Sequence, residues 1–341
     1  MKYLAIGSLP YDNPNDAIDI VKKYFNKIPF WPQLAKVSKN EDMAFQFLEG
    51  MPSFFCSEDF KFNTDDENFY KELETFLFDY EQIIHKHNTD KLAKYAINYS
   101  STFKSFLDLA QKAEFAKGQI VGPFTLSTLL TEQNGKNIIY NPTLKELIVK
   151  TLSLKALWQV VEIKKTGAIP IIFIDEPSLS LLGSSAYLTI TSKDVTEMLK
   201  EISDLIKKSG GISAIHCCGK CDWSSIIKAE PNIISFDAYN YAENISIFSD
   251  EIKLFVNNGG KLAWGIVPTL DREALKNATL EYLEEKFNKA VTYLTNKGIN
   301  EKLIIENSYI TPSCGAGSLP EDLAQKAMKL TKELAERYND N

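Results

Sequence analysis

The chain has 341 residues and a formal net charge of −7, and its only arginines are Arg272 and Arg337. An acidic balance with scattered charges argues against a nucleic-acid or anionic-membrane partner, and so few arginines leave little capacity for bidentate capture of several carboxylates or phosphates. No apolar run approaches the ~18 residues of a membrane span, the first residues lack a signal-peptide pattern, and five cysteines in so long a chain fit a reduced, cytoplasmic setting better than a disulfide framework.

In chain order, Tyr3-Leu4-Ala5-Ile6-Gly7-Ser8, followed by Pro10, predicts a first buried strand. Its end opens into a loop at Gly7 and Ser8 whose amides would be free for a ligand, or which is an ordinary turn. Residues 14 to 118 carry apolar positions at helical spacing, notably over 67 to 85 and 91 to 117, and predict a mainly helical elaboration. Phe30-Trp31-Pro32-Gln33-Leu34 and Pro52-Ser53-Phe54-Phe55-Cys56 are non-helical islands within it, one of which offers a second strand. His85 and His87 flank Lys86 at a polar helix end, where helical geometry turns them away from each other, so they read as solvated.

From Gln119 the pattern becomes regular. Apolar runs at 119–123, 169–174, 212–218, 233–236, 262–266 and 303–305 end in glycine, proline or a polar residue, and helical segments at 142–165, 192–208 and 271–296 separate them. A last helix is marked by Ser318 and Glu321 at capping-box spacing and by a stripe of Leu323, Ala327, Leu330 and Leu334. Strands apolar on both faces that alternate with helices imply parallel pairing through right-handed crossovers. The expectation is α/β: a single (β/α)8 TIM barrel over residues 1–341 with a helical N-terminal insertion, a doubly wound open sheet being the alternative.

A barrel gathers strand C-termini on one face, which would bring together Ser8, Asp175, His216, Cys218, Asp237 and Cys314. Alternation projects His216 and Cys218 from the same face of their strand, and an imidazole nitrogen with a thiolate suits Zn2+. Cys314, just past the last apolar run, offers a third ligand. Asp237, at the end of 233–236, offers a fourth through its carboxylate, or else caps the helix that follows. Two cysteine thiolates weaken zinc as a Lewis acid for water and favour activation of a substrate thiol for alkylation. Asp175 and Glu176 follow the most apolar strand, where adjacent carboxylates are expensive to bury; one of them meets a substrate ammonium, or the pair caps the next turn. Cys218-Gly219-Lys220-Cys221 also has thiol-redox spacing.

These segments together resemble the superfamily of cobalamin-independent methionine synthase and uroporphyrinogen decarboxylase, and most closely the catalytic barrel of the synthase. Ile6-Gly7-Ser8-Leu9-Pro10 is similar to the family's homocysteine-holding segment, and Ile174-Asp175-Glu176-Pro177 to its Asp-Glu-Pro motif. His216 with Cys218 resembles its His-x-Cys, and Ile234-Ser235-Phe236-Asp237 its segment ending in a ligand carboxylate, usually glutamate. Ser313-Cys314-Gly315 resembles its last zinc cysteine. The resemblance implies a zinc-dependent methyltransferase with Zn2+ on His216, Cys218, Cys314 and Asp237. The substrate thiol, homocysteine by preference and coenzyme M otherwise, would be bound by Gly7, Ser8, Asp175 and Glu176. Gly122-Pro123-Phe124-Thr125-Leu126 is closer to the decarboxylase-like branch with its corrinoid-linked methyltransferases, which implies a methylated corrinoid protein as donor. Metal-free porphyrinogen decarboxylation and a catalytically silent module that binds thiols or corrinoid proteins are the competing expectations.

Overall fold

The computed structural model describes residues 1–52, 61, 62, 64 and 67–338. At its centre is a curled, wholly parallel sheet of seven strands: β1 (Lys2–Tyr3), β2 (Phe115–Val121), β3 (Ile169–Asp175), β4 (Ile212–Cys217), β5 (Ile233–Phe236), β6 (Lys261–Val267) and β7 (Ser308–Pro312). Their spatial order, β1-β7-β6-β5-β4-β3-β2, advances in one direction. It has no reversal of the kind that defines a doubly wound sheet. Helices cover the convex side, among them Pro142–Lys165 before β3, Ser192–Lys208 before β4 and Glu321–Arg337 after β7.

The result is a TIM-like half-barrel rather than a closed eight-stranded one. The gap between β1 and β2 is crossed by residues 29–33 without forming a strand. Trp31 N donates to Lys117 O at 2.9 Å on one edge, while Gln33 N donates to Gly7 O at 3.2 Å on the other. In a regular strand residues i and i+2 donate to the same side, so the chain swings across the gap at Pro32, which has no N–H to give. The other expected source of a strand, Ser53 to Cys56, lies outside the described residues.

Alternation sorts the core in two. Leu4, Ile6, Phe173, Ala214, Ile233 and Tyr309 form a small cluster inside the curl, and Ile172, Ile174, Ile215, Phe236, Trp264 and Ile310 join the large cluster shared with the helices. Each fully buried leucine, isoleucine or phenylalanine among them contributes about 1.5–3 kcal/mol. This is why the strands read as continuous apolar runs.

Three expectations are corrected. The run Leu303–Ile305 belongs to a helical turn, Glu301–Glu306, capped by the Asn300 side chain, and the strand follows at Ser308–Pro312; so short an apolar run fits either periodicity. The helix expected over 91–117 is shorter, Phe103–Ala110, and Phe115 already begins β2. The last helix buries its expected stripe, but it starts at Glu321 with no side-chain cap, and the acidic Glu321 and Asp322 sit in its first turn, where they favour the helix dipole. His85 and His87 are exposed, as expected. No helix among the described residues is long and apolar enough to cross a membrane.

Candidate metal centre and its cavity

Strand pairing sets Asp175 opposite His216 and His216 opposite Ser235, forming a polar row at the C-terminal end of β3, β4 and β5 above the inner apolar cluster. Nδ1 of His216 lies 3.0 Å from Ser235 Oγ, which orients the ring. Its Nε2 is buried without a partner. Cys218 follows one residue past β4.

Cys314 arrives from the loop after β7, which is held on two sides. Thr269, just beyond β6, accepts from Cys314 N at 2.9 Å and donates to Cys314 O at 3.0 Å through the same hydroxyl. Ser8 O accepts from Ala316 N at 3.0 Å and Ser8 Oγ from Gly317 N at 3.3 Å. The approach is so close that a Cβ on Gly315 would lie 2.1 Å from Ser8 Oγ. Ser8 is thus on the wall of the site, whereas Gly7, expected beside it at the substrate, does not line the cavity: its carbonyl accepts from Gln33 N at 3.2 Å and its α-carbon packs against the Gln119 side chain.

His216, Cys218 and Cys314 each offer a ligand atom within 4.8 Å of the others, and among the described residues they are the one group able to hold a metal ion. The neighbouring Cys314 thiol, with the His216 imidazole beside it, holds the Cys218 pKa well below the ordinary thiol range; the same contact with Cys218, together with burial, holds Cys314 above it. Two close sulfurs beside a buried imidazole nitrogen are a donor set that a divalent cation would satisfy, and nitrogen with two thiolates is the zinc preference. Three protein ligands leave a fourth position open, the pattern of catalytic rather than structural zinc.

Asp237 stands apart from this group. Its Oδ1 accepts from Asn240 N at 2.9 Å and its Oδ2 from Asn240 Nδ2 at 2.7 Å, so it caps the helix Ala238–Ile245. One methylene shorter than glutamate, it satisfies the nearest amides instead of reaching toward the sulfurs. Asp237→Asn keeps a cap acceptor and is expected to cost under about 1 kcal/mol and to leave zinc affinity nearly unchanged. A loss of affinity of about 100-fold in a zinc competition titration would instead place the carboxylate in the coordination sphere.

The adjacent carboxylates part company, since neighbouring residues of an extended chain face opposite sides. Asp175 lines the cavity, is 5% exposed and keeps Oδ1 without a partner. Burial raises its pKa, and the charges of Lys117 and His216 oppose the rise. Glu176, expected at the substrate, is instead fully buried at the start of the helix Pro123–Leu129. Its carboxylate accepts from Phe124 N and Thr125 N, both at 2.8 Å, and from Thr125 Oγ1 at 2.6 Å. Burial pushes its pKa up to about 7 against the pull of these donors. A carboxylate at a helix N-terminus answers the unpaired amides there, so Glu176 builds the fold rather than the pocket.

Above the metal group opens a cavity of about 320 Å3, lined by Ile6, Ser8, Leu9, Asp175, His216, Cys218 and Cys314, with Met43 and Leu270 among its further walls. Cys221, two residues past Gly219, is a half-buried free thiol whose pKa is raised by burial and by the neighbouring Cys217 on the other face of β4. Ser235, Thr269 and Lys117 were not foreseen. Ser235 had a signal, being a lone hydroxyl at an inward position of an apolar strand, whereas nothing local marks Thr269. The chain matches no family model and no curated protein.

Proposed function

We propose that the protein is a zinc-dependent methyltransferase that carries a methyl group to a small thiol, with homocysteine the preferred acceptor and methionine the product. The observation that carries this reading is the convergence of His216, Cys218 and Cys314 beneath a cavity that also presents an unpartnered carboxylate oxygen of Asp175. The residue pattern shared with the methionine synthase superfamily supports it further.

His216 Nε2 and the sulfurs of Cys218 and Cys314 would hold the ion. When bound, zinc supplies a Lewis acid that keeps the sulfur of a thiol deprotonated at neutral pH. The protein's own groups do the rest. Ser235 keeps the imidazole in one orientation with Nε2 inward, and Thr269 and Ser8 fix the loop of Cys314. Asp175 receives the substrate ammonium, and a thiol that carries a sulfonate in place of the amino acid head would face it with like charge. Ile6 and Leu9 keep the sulfur in apolar surroundings, where a nucleophile is less hydrated. The acceptor sulfur forms its bond to the methyl carbon as the methyl–donor bond breaks, the donor keeping the electron pair. A methylated corrinoid protein, the donor we favour, is too large for a cavity of about 320 Å3 and would present its methyl group at the mouth.

Zinc X-ray absorption of the purified protein with and without homocysteine tests this. An added zinc–sulfur distance with homocysteine, at the expense of an oxygen or nitrogen scatterer, is the expected result. Absence of zinc, or a sphere unchanged by the thiol, would remove the proposal.

A further inference from the structure

Among the described residues Lys117 and Lys155 are the two lysines that the structure hides completely without an ion-pair contact, and of the two it is Lys117 that bonds to a residue of the cavity wall. It sits mid-strand in β2 and points into the curl. Its ammonium donates to the carbonyl of Ile6 and, at 2.9 Å, to Gln119 Oε1, and it lies 4.5 Å from the ring centre of Phe173. Both acceptors are neutral. A buried ammonium held only by neutral oxygens and a ring face is expensive, and an apolar side chain of the same length would pack there at lower cost. Desolvation accordingly draws its pKa down to about 8, with the Asp175 carboxylate opposing the fall.

The bonds Lys117 makes lead toward the cavity. Ile6, whose carbonyl it holds, lines the cavity itself, and two residues on Ser8 grips the Cys314 loop through Ala316 N at 3.0 Å and Gly317 N at 3.3 Å. Gln119, the other acceptor, donates to Trp31 O at 3.0 Å and packs where a Cβ of Gly7 would lie 3.0 Å from its Oε1. The ammonium therefore ties β2 to the Ile6 segment directly and, through the Gln119 amide that it holds, to Trp31 of the crossing segment, the two segments that border the open edge of the sheet. The sheet's own ladder does not hold this edge, because β1 is only Lys2–Tyr3 and the crossing segment makes single bridges. We infer that Lys117 is a positioning residue: it holds the Ile6–Leu9 wall of the thiol site in register with the loop that carries Cys314.

The inference rests on the thiol-site reading above, and its test keeps the two apart. In the full chain, Lys117→Met removes the donors at nearly constant volume, and Lys117→Gln restores one neutral donor. Circular dichroism checks folding, a chromophoric chelator times zinc release, and calorimetry gives homocysteine affinity. Folded Lys117→Met is expected to bind homocysteine about tenfold or more weakly and to release zinc faster, with Lys117→Gln falling between it and the wild type. Homocysteine affinity and zinc release both unchanged in folded Lys117→Met would overturn the inference. If the wild type holds zinc but ignores homocysteine, the thiol reading fails, and the positioning role is then decided by zinc release alone. Should both lysine variants fail to fold, Gln119→Met, which breaks the second tie, takes their place: the same weakening supports the inference and wild-type behaviour in both assays overturns it.

Discussion

Cys218→Ser protein is expected to lose equimolar zinc while keeping its fold. The change removes one of the two sulfurs in the metal group and puts in its place a hydroxyl that does not ionise at neutral pH. His216 Nε2 and Cys314 then offer too few donors for a tetrahedral ion. Changes behind the ligands cost 10–100-fold in affinity, so loss of a ligand atom should exceed about 100-fold. Stability without metal should change little, because Cys218 is partly open to the cavity. Elemental analysis after passage over a chelating resin, read beside a circular dichroism melt, checks this. Full zinc occupancy in the variant would show that the metal is held elsewhere.

The largest effect on stability is expected from Gly122→Ala. A Cβ there would lie 2.0 Å from Glu176 Cδ and 2.1 Å from its Cγ, contacts that no side-chain adjustment short of expulsion relieves. Expelling Glu176 leaves Phe124 N, Thr125 N and the Thr125 hydroxyl buried without their acceptor. Each orphaned group costs about 1–3 kcal/mol, so the total should exceed about 3 kcal/mol. Glu176→Ala alone pays for the same lost acceptor but has no clash. Urea denaturation should therefore show strong non-additivity, with the double variant about as stable as Glu176→Ala alone. Simple addition of the two losses would mean that Gly122 and Glu176 do not share the contact assigned to them.

Much of the site was legible because strand chemistry is local. In Ile212 to Cys218 the apolar run predicts the strand, and its period of two alone puts His216 and Cys218 on one face. Asp175 was legible for the same reason. Its neighbour Glu176 was not, since its destination is the amide end of a helix that begins far earlier in the chain, at Pro123. Asp237 shows the reverse limit. Its place at a strand end was plain, but the choice between capping the next helix and reaching the metal turned on one methylene and the position of Asn240.

By itself, the sequence determined the alternation of parallel strands with helices, the apolar filling on both faces of the sheet and the identity of the sulfur and nitrogen donors. All of these follow from side-chain type and periodicity within a few residues. Only the tertiary structure decided that the strand before Cys314 is Ser308–Pro312, that residues 29–33 cross the gap without completing a barrel, and that Lys117 lies inside the curl rather than on a helix. Those outcomes depend on which edge a segment meets and on which buried oxygen needs a donor. Such partners lie far along the chain, as Ser8 and Gly317 do, and no local pattern encodes them.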